Sequence, residues 1–130
     1  MEGLFLEALK SLQRFLQRRR DARRSQSTEH RRAVESVLDA VRETEGYLYD
    51  LKDGGAKDRG RESGLSRLWQ RAATDVRAVD SRLSRVAQVS AFGWANPELW
   101  DHSEYRQIPT ELDLIRRQCE WLLDRWDRET

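Results

Sequence analysis

The chain has 130 residues with 24 basic and 23 acidic side chains, a formal net charge of +1, and a single cysteine, Cys119. That length suits one domain able to bury a core without disulfides or metals, so a single unit over residues 1–130 is expected. No apolar run approaches the ~18 residues needed to cross a bilayer, the start lacks the order of a signal peptide, and one cysteine cannot close an internal disulfide; the expectation is a soluble, cytoplasmic protein.

Charged residues make up 36% of the chain and hydrophobic ones 38%. This balance is that of amphipathic helices with heavily charged outer faces. The charge is uneven. Lys10, Arg14, Arg18, Arg19, Arg20, Arg23, Arg24, Arg31 and Arg32 face only Glu2, Glu7, Asp21 and Glu29 in the first 32 residues, leaving the remainder acidic. A basic first helix can therefore lie across acidic neighbours or seek an external anion.

A first helix is predicted over residues 2–24. Leu4, Phe5, Leu9, Leu12, Phe15 and Leu16 form its apolar stripe, and the segment from Gln17 to Arg24 has almost no face to bury. Hydroxyl side chains at 25–28 then cap a second helix over 28–51, with Val34, Val37, Leu38, Val41 and Leu48 at helical spacing. Gly46 within it implies close approach of a neighbour or the onset of fraying. Tyr47 and Tyr49 flank Leu48 and cannot both face the core, so one tyrosine is expected at the surface.

Residues 52–64 read as a charged, glycine-rich loop. Lys57, Arg59 and Arg61 accompany its four glycines, but no GxxxxGK[ST] pattern follows a strand, and the simple reading is a solvated connector. A third helix is predicted over 62–90, its stripe formed by Leu65, Leu68, Trp69, Ala72, Val76, Val79, Leu83 and Val86. It is the longest uninterrupted stripe and is expected to be the element against which the others pack. Its outer face carries Arg67, Arg71, Arg82 and Arg85, which need neutralising by acids of an adjacent helix, by an acidic partner or by phosphates. Asp75 and Asp80 on the same helix count against phosphates.

Phe92, Trp94 and Trp100 crowd the next segment, with Asn96 and Pro97 suited to start a short additional helical segment near 96–102. They serve either as a lid over the bundle or as exposed anchors for a partner. Glu98, Asp101, His102 and Glu104 have ligand chemistry, yet the chain contains no Glu-x-x-His pair, and no metal site or other cofactor is expected. The last helix is predicted over 110–127. Thr110 and Asp113 sit in capping-box positions, and Leu112, Ile115, Cys119, Leu122 and Trp126 form the apolar face. Trp121 falls at the flank of that face beside Leu114 and Gln118.

The fold expected is all-α: an antiparallel bundle of four principal helices with the short additional segment. No nucleophile with its base, carboxylate pair or metal shell is evident, so the expectation is a non-enzymatic interaction module. It would act as a small accessory, adaptor or regulatory subunit binding a protein partner through Phe92, Trp94, Trp100 and Trp121. Two other classes are compatible with the pattern. A nucleic-acid-binding module would use Arg18, Arg19, Arg20, Arg23, Arg24, Arg31, Arg32, Arg67 and Arg71 as a basic face. A peripheral membrane protein would use the apolar side of the first helix, with Leu4, Phe5, Leu9, Leu12 and Phe15 exposed to lipid. Self-association into a homo-oligomer is compatible with each.

Overall fold

The computed structural model describes residues 4–21, 28–83 and 102–129, with side chains described over 6–20, 28–83 and 106–128. Four helices account for nearly all of them: α1 (Leu4–Asp21), α2 (Thr28–Lys52), α3 (Arg59–Val79) and α4 (His102–Glu129). No strand occurs among the described residues.

The predicted stripes are the core. Leu9, Leu12, Phe15 and Leu16 of α1, Val34, Val37, Leu38 and Val41 of α2, Leu65, Trp69, Ala72 and Val76 of α3, and Leu112, Ile115, Cys119, Leu122 and Trp126 of α4 are all buried. Leu48, Leu68 and Val79 pack at its edge. Burying each large apolar side chain stabilises the fold by about 1.5–3 kcal/mol relative to exposure.

α2 and the last helix, α4, each pack on two others, and it is α2 on which α3 packs, so α3 is not the central element that its unbroken stripe suggested. α2 packs on both α3 and α4, and α1 packs on α4. The physical reason is the width of the apolar sector of α2. Ala33–Val34, Ser36–Val37–Leu38 and Ala40–Val41 are buried as consecutive residues, which happens only when a helix is covered on more than one side.

Pairings between helices give their directions. Residues 36, 47 and 50 of α2 meet 75, 62 and 61 of α3, and residues 31, 42 and 45 of α2 meet 127, 120 and 116 of α4, so α2 is antiparallel to both. By contrast, Gln13 meets Glu111 and Arg20 meets Trp121 and Arg125, so α1 and α4 run the same way. The contact of Arg18, near the end of α1, with Asp80, just past the end of α3, places those two ends together. The all-helical expectation holds, while the pairwise directions depart from simple up-and-down alternation. A parallel neighbour needs a long connection, and the stretch between Val79 and His102, at roughly 3.3 Å per extended residue, has ample reach to return the length of a helix.

Helix boundaries differ from expectation for local reasons. α3 begins at Arg59 because Asp58, in an extended conformation, accepts from the Arg61 N–H at 3.0 Å as an N-cap, which shortens the predicted 52–64 loop to the turn between Lys52 and Asp58. Gly54 at φ +90° closes α2, with the Gly54 N–H bonded to the Leu51 carbonyl and the Gly55 N–H to that of Asp50, a Schellman turn. α3 stops at Val79 rather than 90. The Asp80 carboxylate takes the Arg82 N–H at 3.0 Å and so competes with continued helix, as aspartate readily does. α4 begins at His102, eight residues before the predicted start, and Pro109 lies inside it. Pro109 is exposed, while Ile108 is fully buried in step with Leu112, Ile115 and Cys119. The short segment expected near 96–102 falls almost wholly outside the described residues.

Candidate functional site

Most polar side chains between helices are spent on the fold. Trp69 Nε1 donates to Thr44 Oγ1 at 2.8 Å, and Thr44 donates to the Ala40 carbonyl at 2.7 Å. Tyr47 donates its hydroxyl to the buried Glu62 carboxylate at 2.9 Å and accepts from the Asp58 N–H at 3.1 Å, while Arg61 covers its ring at 4.9 Å and bonds Asp50. Arg61 is therefore joint-forming, and Gly60 and Gly64 are helical rather than part of the turn. Tyr49 is the exposed member of the tyrosine pair.

Along the α2–α4 seam, Arg116 bonds Glu45, Glu120 and Asp113, and Glu120 also takes Arg42. Burial raises the Glu45 carboxyl above its usual range even though Arg116 opposes the shift. Asp113 also bonds Arg117, and Asp124 bonds Arg128, the two i,i+4 pairs the sequence implied. Cys119 is fully buried, and that burial pushes its thiol strongly upward, so it is a packing residue and not a nucleophile. Among the described residues no group of three His, Cys, Asp or Glu side chains is placed to hold a metal ion.

Two of the predicted anion-binding residues are engaged within the chain. Arg18 bonds Asp80 at 2.8 Å, and Arg31 bonds Glu35 at 2.9 Å and Asp127 at 2.6 Å, so acids of the same chain hold both. Arg19 is half-buried and Arg32 exposed on neighbouring helices, and Arg23 and Arg24 lie outside the described residues. Arg67 and Arg71 are exposed on α3. Leu9, Leu12 and Phe15 are in the core and unavailable to a lipid surface; the side chains of Leu4 and Phe5 are outside the described set. Phe92, Trp94 and Trp100 lie outside the described residues too, as do Glu98 and Asp101 and the side chains of His102 and Glu104.

Trp121 is the predicted partner-binding residue that the structure places. It retains 40% exposure and Leu114, two turns before it on α4, 45%, making them, among the described residues, the exposed large apolar side chains besides Tyr49. Both line a cleft of about 330 Å³ between α1 and α4, floored by Leu16 and Leu122 and rimmed by Arg20 and Arg117. Gln13 and Gln118 complete its wall, and the Gln118 Oε1 is buried without a hydrogen bond among the described residues. The cleft contains no carboxylate.

The indole is held from both helices. The Arg20 guanidinium carbon lies 4.8 Å from the Trp121 ring centre and that of Arg125 lies 5.2 Å from it. Arg125 also donates to the Arg20 carbonyl at 3.1 Å, one of the carbonyls that the end of α1 leaves without a helical partner. An aromatic ring fixed by two cations is preorganised, so little side-chain entropy is left to lose on binding. Sequence reasoning found Trp121 from its position on the flank of the stripe. The same reading placed Leu114 beside it but missed Arg20, because the parallel pairing of α1 with α4 joins residues a hundred positions apart.

Comparison with known proteins adds no family: the chain matches no family model, and no significant match was found among curated proteins or solved structures.

Proposed function

We propose that this chain is a non-catalytic interaction module, a small accessory, adaptor or regulatory subunit that binds a protein partner through the α1–α4 cleft. The observation that carries the reading is the exposed pair Trp121 and Leu114 in a cleft rimmed by Arg20 and Arg117 and free of carboxylates. Tryptophan and arginine are the residue types most enriched where binding energy concentrates. The partner is a protein segment that sets an apolar side chain against Trp121 and Leu114 and brings a carboxylate to Arg20, Arg117 being paired with Asp113, the complement in both polarity and charge. A donor from that segment also reaches the Gln118 carbonyl oxygen once the cleft opens to it. The lone, buried cysteine suits a reducing, cytoplasmic setting.

The test is partner capture from native extract by the wild type, by Trp121→Ala with Leu114→Ala, and by Arg42→Ala as a surface control. Retention of one protein by the wild type and the control, with loss in the double variant, supports the reading. Equal retention by all three contradicts it.

A further inference from the structure

We propose that the outer face of α3 is a second, separate binding surface, for the phosphate backbone of duplex nucleic acid. At 100° per residue, Arg59, Ser63, Arg67, Gln70, Arg71, Thr74 and Arg77 fall within a sector of about 120° that extends roughly 27 Å along the helix. All seven are exposed. Each offers hydrogen-bond donors, none is a carboxylate, and the only other residues in the sector are Gly60 and Ala78.

The acids of α3 itself and of its two ends are committed elsewhere. α3 contains two, Glu62 and Asp75, and both turn toward α2: Glu62 accepts from Tyr47, and Asp75 accepts from Ser36 at 2.5 Å. Asp58, at the head of the helix, is occupied as its N-cap. Asp80, past its end, is bonded to Arg18 and the Arg82 N–H. The aspartates that counted against phosphate binding in the sequence are thus turned away from the ridge. Among the described residues no ion pair is formed by Arg67 or Arg71, although they repel one another at i,i+4. An external anion relieves that repulsion.

The chemistry of the ridge selects the anion. It has arginines interleaved with hydroxyl and amide donors, the set that contacts phosphate oxygens. It has no aromatic side chain on which an unstacked base could lie, which disfavours single strands. It has no large apolar side chain to enter a bilayer. Binding is therefore of duplex backbone, independent of sequence, and carried chiefly by Arg59, Arg67 and Arg71.

The experiment is fluorescence anisotropy of a labelled duplex DNA of about 20 base pairs titrated with the full chain at several salt concentrations. The expected logarithmic salt slope is about −3 for the wild type, reduced in magnitude by about 2 in Arg67→Gln with Arg71→Gln. Arg67→Lys with Arg71→Lys restores the affinity, and Trp121→Ala leaves it unchanged, which separates this surface from the cleft. The proposal is overturned if the glutamine variant binds DNA with wild-type slope and affinity, if the wild type does not bind the duplex at low salt, or if it prefers phosphatidylserine vesicles to the duplex.

Discussion

Arg125 holds Trp121 while bonding a different helix: its guanidinium lies over the indole and donates to the Arg20 carbonyl at the end of α1. The exposed ring and the docking of α1 on α4 thereby depend on the same side chain. Arg125→Ala removes a charged hydrogen bond and one cation–π contact and should cost about 1–2 kcal/mol, measured by urea unfolding. Partner affinity should fall further than Arg20→Ala alone lowers it, because the indole loses its fixed orientation along with the α1 anchor.

Tyr47 joins α2 to α3 at the turn. Tyr47→Phe leaves the buried Glu62 carboxylate without its donor and the Asp58 N–H without its acceptor, and should destabilise the fold by about 2–3 kcal/mol. Its phenol is pushed above the usual range by burial, with Glu62 adding to the shift and the Asp58 N–H opposing it. A folded pKa above the unfolded one gives stability that is complete below about 10 and is lost as pH rises. Wild-type stability should therefore drop at alkaline pH by more than that of Tyr47→Phe.

Acid acts on the opposite end of the bundle. Burial, reinforced by the Arg19 charge, lowers the His30 imidazole, with Glu29 and Asp80 opposing. Burial alone would raise the Asp80 carboxyl, but the Arg82 N–H and the Arg18 guanidinium outweigh it and hold the group low. Both folded pKa values lie below their unfolded ones, so both contributions are present at neutral pH. The first declines below about 6.5 and the second below about 4. Urea midpoints from pH 7.5 to 3 should fall in two stages, with His30→Gln flattening the upper stage and Asp80→Asn the lower.

Two glycines near the end of α2 should respond in opposite directions. A Cβ at Gly46 meets nothing within 4 Å, so Gly46→Ala should stabilise the helix by about 0.5–1 kcal/mol. The glycine neither admits a neighbour nor begins fraying. At Gly55 a Cβ would stand 2.6 Å from the Asp50 carbonyl oxygen, so Gly55→Ala must distort the Schellman turn and lower the melting temperature.

The four helices were legible because their stripes repeat at three and four residues, and α2, α3 and α4 kept nearly every buried position that the stripes implied. Their ends were less legible. Asp58 and Asp80 set the limits of α3 through single side-chain-to-backbone bonds, and Pro109 is carried within α4 because Ile108 belongs to the buried stripe. The standing of α2 was missed because Ala33, Ala40 and Thr44 carry little hydrophobic signal while filling the contact between helices. Trp121 could be singled out as a flank residue. The cleft could not, since it exists only once α1 lies parallel to α4, and no local pattern encodes that direction.

Site-specific photo-cross-linking in native extract tests the proposed role of the α1–α4 cleft as the partner-binding surface. A photoreactive residue replacing Leu114 should capture one protein, with capture lost when Trp121→Ala is added, while the same residue at Tyr49 on α2 captures none. Capture from position 49 alone, or capture from position 114 that is indifferent to Trp121, would contradict the account.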